Sequence, residues 1–171
     1  MQMISWKDID GKWNDEPDIL ELEGKGYHMV VLRHREFGTL NGYVGVNIHH
    51  PAFGTDYDQK KVNGIMVHGG LTFSALGSSM HEAPFKKNFW YFGFDTAHAF
   101  DLVPSMIALK QSIPTLANMA KDDTYRDLNY VSDYVNKLKD QLEDIAASSP
   151  DHKINHKKIY RKLNKMKKRC L

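Results

Sequence analysis

Cysteine is almost absent from this sequence, since Cys170 is the only one. No disulfide can therefore form within the chain, and a zinc site built on several cysteines is excluded. A lone cysteine also fits a reducing compartment, so we expect a cytoplasmic protein. No apolar run reaches about 18 residues, which predicts no membrane span. The first 15 residues are polar and acidic and lack the apolar segment of a secretory signal.

Several familiar catalytic motifs are also missing. The sequence contains no P-loop, no dinucleotide-binding glycine fingerprint and no Gly-x-Ser-x-Gly element. A serine nucleophile and protein-kinase chemistry therefore have no support. What is present is an ordinary globular composition, with 42% apolar and 26% charged residues in a chain of 171. That length predicts one domain, which we place at residues 1–150 with an acidic lead-in at 1–25.

Charge is distributed unevenly along the chain. Residues 151–171 carry nine Lys or Arg and one Asp, a balance of +8, whereas the whole chain has a formal net charge of +2. The other 150 residues therefore carry −6. Basic tails commonly contact the phosphates of nucleic acids or lipids, so we expect this tail to bind polyanions. Two alternatives stay open: a solvated tail, and a tail folded against the acidic body of its own or a neighbouring chain, as in a homo-oligomer.

Hydrophobic spacing predicts an α+β fold. Runs rich in β-branched and aromatic residues, bounded by turn residues, predict four strands at residues 28–33, 43–48, 65–73 and 88–95. The links between the last three strands are too short or too polar for crossover helices, so we expect antiparallel pairing. Residues 76–87 are expected to form a loop between the third and fourth strands.

A long amphipathic pattern follows the strands and predicts a helix at residues 125–147. We expect it to begin at a cap among residues 122–124 and to cover the sheet. A weaker pattern in the tail predicts a second, basic helix. The predicted fold is therefore a small antiparallel sheet covered by a long amphipathic helix, with a basic C-terminal tail helix. The apolar positions of the long helix are Leu128, Val131, Val135, Leu138, Leu142 and Ile145, and those of the tail are Ile159, Leu163, Met166 and Cys170.

Polar side chains interrupt the third predicted strand. His68 is followed by Gly69 and Gly70, and Thr72 comes two residues later. Glycine weakens a strand, so glycines within one need a reason. One such reason is that a ligand approaches the backbone closely at Gly69 and Gly70. We therefore interpret these four residues as candidates for a site, with His68 as a catalytic group. The alternative is a histidine that is hydrogen-bonded within the core.

A second polar cluster follows the aromatic fourth strand. Asp95, His98 and Asp101 are spaced three residues apart, which places neighbouring members on one face of a helical turn. Such a pair is compatible with metal ligation, or with a carboxylate that orients an imidazole for acid–base catalysis. We take Asp95 and His98 as catalytic candidates and Asp101 as a ligand-binding one. A purely structural hydrogen bond is the alternative. Trp90, in the same strand, is a candidate for stacking on a base.

The third cluster lies at the expected start of the long helix. Tyr125 and Arg126 stand beside backbone N–H groups that can hold an anion, although they can also form a solvated first turn. We expect them to close a single pocket that contains His68, Asp95 and His98.

These clusters occur in an order that resembles a group of small phage and bacterial proteins. The shared segments are GYVGV at 42–46, VHGGLTF at 67–73, W-x-x-GFD-x-AH-x-x-D at 90–101 and YRD-x-x-YV at 125–131. The resemblance carries over no catalytic role, but it implies that the polar clusters belong to one recurring design. In a phage setting it implies a counter-defence role in the host cytoplasm.

Two functions follow from these residues. The first is the binding, or sequestration, of a small nucleotide-like ligand, with aromatics stacking on a base and His68, Arg126 and glycine N–H groups holding phosphate or ribose. The second is a metal-dependent hydrolase acting on a phosphodiester or related bond, with His68, Asp95, His98 and Asp101 as ligands or acid–base groups. A protein-binding adaptor that uses the long helix and the tail is a third alternative.

Overall fold

Five antiparallel strands form one sheet in this computed structural model, which describes residues 5–80, 84–113 and 122–149. The spatial order is β1-β2-β3-β5-β4, and every neighbouring pair is antiparallel. The expected antiparallel α+β architecture is therefore confirmed. The strands are β1 (Ile19–Gly24), β2 (Tyr27–Arg33), β3 (Leu40–Val46), β4 (Phe73–Leu76) and β5 (Trp90–Phe94).

Helix α2 (Leu128–Ser148) covers one face of the sheet and confirms the expected long helix. Its N-cap is Asp127, whose carboxylate accepts from the Tyr130 backbone N–H, so the helix begins after the predicted cap at residues 122–124. A shorter helix, α1 (Pro104–Ser112), precedes it. The described part of the chain also contains three single-turn 3₁₀ helices, at Trp6–Asp8, Lys12–Asp15 and Gly77–Ser79.

The main core lies between α2 and the sheet. Alternate side chains of β3 and β5 point to this face because successive residues of a strand face opposite sides. Gly42 of β3 allows the helix to approach closely, since a Cβ at that position would lie 2.4 Å from Phe94 and 2.7 Å from Val135. The buried residues of this layer include Leu40, Val44, Val46, Phe92, Phe94, Val131, Val135, Leu138 and Leu142.

The predicted third strand at residues 65–73 is wrong. Residues 65–72 form a turn-rich segment in which Gly69 (φ +65°) and Gly70 (φ +87°) have left-handed backbone conformations that interrupt a strand. Strand β4 begins only at Phe73 and continues to Leu76, the residue at which the loop 76–87 was expected to begin. Ile65 and Val67 lie in this turn-rich segment, and their apolar side chains are buried. Their alternating positions explain why the sequence pattern resembles that of a strand.

The acidic lead-in at residues 1–25 forms more structure than its composition suggests. It contains β1, which pairs with β2 through a hairpin whose turn residues Lys25 and Gly26 both have positive φ. Trp6 and Trp13 are buried in a second small core with Ile9 and Ala108. The N-terminal segment is therefore part of the sheet and of the packing beside it.

The basic tail at 151–171, and with it the predicted second helix, lies outside the described residues. Within the described ranges, no helix has the length and apolar character needed to cross a membrane.

Candidate functional site

A buried carboxylate, Asp101, is the centre of the polar residues that the fold brings together. Its side chain is inaccessible to solvent. Oδ1 accepts a 2.7 Å hydrogen bond from Arg126 Nε, and Oδ2 accepts from His68 Nε2 at 2.7 Å and from the His98 backbone N–H at 3.0 Å. A parallel bridge with Thr124 joins the segment before α2 to the segment after β5. We call Asp101, His68, His98, Arg126 and Tyr130 the Asp101 cluster.

The donors around Asp101 keep it ionised. Burial by itself raises the pKa of Asp101, but hydrogen bonds from Arg126, His68 and the His98 backbone outweigh burial and lower the pKa below its ordinary value. The same contact with Asp101 raises the pKa of Arg126. The pair is therefore a charged, hydrogen-bonded ion pair at neutral pH.

Both ring nitrogens of His68 are engaged. Nε2 faces the ionised Asp101, which can only accept, so Nε2 carries a proton and donates it. In the neutral ring, Nδ1 then accepts the hydroxyl proton of Tyr130 over 2.9 Å. Tyr130 lies in the first turn of α2, so His68 connects the turn at 65–72 to the helix. This geometry makes His68 a residue that positions its neighbours.

His98 is the more exposed of the two imidazoles in the cluster. About a third of its side chain is exposed, and Nδ1 lies 3.6 Å from Asp95 Oδ1 and 3.7 Å from Asp101 Oδ2. Both distances exceed a good hydrogen bond, and Nδ1 has no hydrogen-bond partner among the described residues. The ring lies against Gly69, where an added Cβ would be 2.3 Å from Cε1. Gly69 therefore provides the space that His98 occupies.

The Arg126 side chain is held by Asp101 and is partly exposed to solvent. Its Nε donates to Asp101, its Cζ lies 4.9 Å from the Tyr130 ring centroid, and its side chain is 23% exposed. Neither terminal nitrogen donates a hydrogen bond to a described residue. Nε is thus held by Asp101, and the terminal nitrogens are left to donate to an anion.

Phe100 is an exposed aromatic residue beside the cluster. It is 74% exposed, and it has a left-handed backbone with φ +70°, which costs a residue other than glycine about 1–2 kcal/mol. Two backbone hydrogen bonds hold it there, from Asp101 N to His98 O and from Thr124 N to Phe100 O. Sequence reasoning missed Phe100, although an aromatic residue between His98 and Asp101 was a visible signal.

Asp95 and Thr72 line a hollow of about 340 Å³. Its wall also includes Asn41, Tyr43 and Ala97. Asp95 Oδ1 accepts from the Ala97 backbone N–H at 3.0 Å and faces His98 Nδ1, so it links the hollow to the Asp101 cluster. The structure therefore brings His68 and His98 together around Asp101, with Asp95 at the margin.

Two expected site residues lie elsewhere. Trp90 is buried in the main core, where its indole N–H donates to Thr55 O at 2.9 Å, so it is not available for stacking on a base. The Tyr125 hydroxyl donates to Glu16 Oε2 at 2.6 Å and accepts from Arg33 Nη1 at 2.8 Å. Tyr130 lies beside His68 instead; it belongs to the shared segment YRD-x-x-YV, but no role in the site was expected for it.

The Glu16–Arg33–Tyr125 network supports the site indirectly. Glu16 Oε1 accepts from the Leu128 backbone N–H at 2.7 Å, which helps to fix the start of α2. Burial and the hydrogen bond to Glu16 raise the pKa of Tyr125, so its hydroxyl stays protonated as a donor. Because this network anchors residues 125–128, Arg126 is held where it reaches Asp101.

No family model matches this chain, and neither a curated protein nor a solved structure matches it.

Proposed function

We propose that the protein binds a small nucleotide-like ligand at the Asp101 cluster. The observation that carries the proposal is Arg126, which is fixed through Nε to a buried carboxylate while its side chain remains partly exposed. A guanidinium held in this way presents a pre-organised fork to a phosphate, and little side-chain entropy is lost on binding. His98 Nδ1 lies 3.7 Å from the other oxygen of Asp101 and can add a hydrogen bond to the ligand.

An exposed aromatic residue supports a ligand that also carries a base. Phe100 is adjacent in sequence to Asp101, and its carbonyl accepts from Thr124, two residues before Arg126. A nucleobase stacked on an exposed aromatic ring gains about 1–3 kcal/mol. Phosphate on Arg126 and base on Phe100 would explain why an apolar side chain is held in solvent at the cost of a strained backbone.

The hydrogen bonds of Asp101 and His68 favour a protein that binds its ligand without converting it. Both oxygens of Asp101 and both ring nitrogens of His68 already have partners, so a ligand that contacted either group would have to displace an existing hydrogen bond. Because the sequence resembles phage proteins, we extend the proposal to a biological role: the protein would sequester a nucleotide signal in counter-defence.

The test combines native mass spectrometry with calorimetry on the full chain. Native spectra of freshly purified protein are examined for a bound nucleotide, and nucleoside mono- and diphosphates and cyclic nucleotides are titrated. Arg126→Lys keeps the charge but loses the fork, so we expect affinity to fall at least about tenfold, equivalent to one charge-assisted hydrogen bond. Lys60→Gln, at an exposed position, is the matched control and should bind like the parent. Equal affinity of the Arg126→Lys and parent proteins would contradict the proposal.

A metal-dependent hydrolase is the second candidate, and one observation favours it. Ligand atoms of His68, His98 and Asp101 all lie within 4.8 Å of one another. The ion pair with Arg126 opposes it, because a metal would have to share Asp101 with a guanidinium. Hydrolysis of bis(p-nitrophenyl) phosphate with added Mn²⁺ or Zn²⁺, abolished in His98→Ala, would establish this second function. Bound nucleotide without any turnover would favour the first.

A further inference from the structure

Three potential metal ligands share the sheet face that lies opposite α2. Glu21 and Glu23 are two residues apart on β1, so their side chains point to the same face. His28 of β2 is directly opposite Glu23 in the register. Side chains paired in this way have Cβ atoms about 4.5–5.5 Å apart, which is close enough for both to bind the same ion.

His28 has a buried nitrogen that forms no hydrogen bond with the described residues. The residue is completely buried, and its Nδ1 lies 2.6 Å from the Tyr91 hydroxyl. Nε2 has no hydrogen-bond partner among the described residues and lies 3.5 Å from Glu21 Oε1. A buried polar atom without a partner costs about 1–3 kcal/mol, so an occupant that satisfies it would be stabilising.

We propose that His28 Nε2, Glu21 and Glu23 form a binding site for a divalent transition-metal ion of the zinc type. Imidazole and carboxylate are ligands that suit such ions, and three protein ligands leave a position for water. Their ligand atoms lie within 4.8 Å of one another, whereas two ligands of one tetrahedral zinc are about 3.4 Å apart. Both glutamate side chains are about half exposed, so they can move the remaining distance.

The surroundings of His28 resemble the outer shell of a metal site. Ligation through Nε2 requires the ring proton on Nδ1, which then donates to the Tyr91 oxygen and fixes the ring. The same oxygen accepts from the Lys86 backbone N–H at 2.9 Å, which holds Tyr91 in turn. The Lys86 ammonium forms an ion pair with Glu23, so the carboxylates already attract a cation, and the metal would take the place of that ammonium.

This site is independent of the ligand proposed for the Asp101 cluster. At Asp101 both carboxylate oxygens accept strong hydrogen bonds and one faces a guanidinium. The glutamates have accessible oxygens and no arginine partner among the described residues. We therefore expect zinc to prefer the His28 site.

The experiment is calorimetric titration of the full chain with Zn²⁺ alone, in buffer without chelator. We expect one equivalent to bind, and Glu21→Gln and Glu23→Gln each to weaken it at least about tenfold. Both side chains are substantially exposed, so these variants should fold, as thermal melting will verify. Asp144→Asn, an exposed change of a carboxylate to an amide on α2, is the control and should leave zinc affinity unchanged.

A second measurement avoids any change to the buried histidine. Two-bond ¹⁵N–¹H correlation spectra of the imidazoles, recorded with and without one equivalent of Zn²⁺, should show the Nε2 signal of His28 shifting on binding. An unshifted His28 signal would overturn the proposal. Zinc affinity that survives both glutamine substitutions but is lost in His98→Ala would overturn it too, because the ion would then lie in the Asp101 cluster.

Discussion

Replacing Asp101 by asparagine tests whether this buried carboxylate organises the site. The side chain keeps its size but loses its charge, and one of its two oxygens becomes an NH₂ group that cannot accept. Both oxygens accept from donors in the parent, so in either orientation the amide places a donor against a donor. Arg126 also loses its counter-charge.

The expected loss of stability is about 3 kcal/mol. Breaking a buried ion pair by removing one partner costs about 3–5 kcal/mol. The lower end applies because the Arg126 side chain is 23% exposed, so water compensates part of its lost partner. With a urea dependence of about 2 kcal/mol/M, the unfolding midpoint should fall by about 1.5 M.

Urea unfolding at pH 7, followed by tryptophan fluorescence, measures this change. The Asp144→Asn variant is the control, and its unfolding free energy should stay within about 0.5 kcal/mol of the parent's. Arg126→Gln and the double variant complete a cycle, in which we expect the two changes to be coupled by about 2 kcal/mol. An Asp101→Asn variant as stable as the control would refute the central role of this carboxylate.

We also predict how the stability difference between the parent and Asp101→Asn depends on pH. The pKa of Asp101 is lower in the folded chain than the ordinary value of 3.8. Its contribution to stability is therefore fully present above that value and is lost as the pH falls through the lowered pKa. The stability difference between the parent and Asp101→Asn should be constant near neutral pH and shrink below about pH 4. A difference that grows in acid would contradict the assignment of a lowered pKa.

Three further predictions concern other parts of the chain. Gly69→Ala should destabilise the protein by about 1–2 kcal/mol through its left-handed backbone alone, and should also displace the His98 ring; an unchanged melting temperature and His98 NMR signal would refute this. Leu138→Asp places an unpaired charge in the main core and should cost more than about 4 kcal/mol, so the variant should lack a cooperative melt. Removing residues 151–171 should leave the melt of the remaining chain intact and weaken salt-sensitive binding to DNA oligonucleotides measured by fluorescence anisotropy; loss of the cooperative melt would instead show that the tail is structural.

The sequence by itself determined the long helix and much of the sheet. The apolar spacing of α2 is a property of the helical repeat, and Leu138 and Leu142 are fully buried as that spacing predicts. Strands β2, β3 and β5 follow from runs of β-branched and aromatic residues, which favour a strand whichever neighbour it pairs with. Strand β1 was not predicted, because its sequence is acidic and its side chains are mostly exposed. Only pairing with β2 makes it a strand.

The tertiary structure alone decided which polar residues meet. The sequence indicated His68, Asp101 and Arg126, but the three-residue spacing favoured Asp95 as the partner of His98 and gave Asp101 only a ligand-binding role. Which carboxylate is buried depends on the turn after β5 and on the bridge between Asp101 and Thr124, a long-range contact that no local pattern encodes. The start of α2 at Leu128 likewise directs Tyr125 towards Arg33 and brings Tyr130 to His68, because the direction of a side chain depends on where the helix begins.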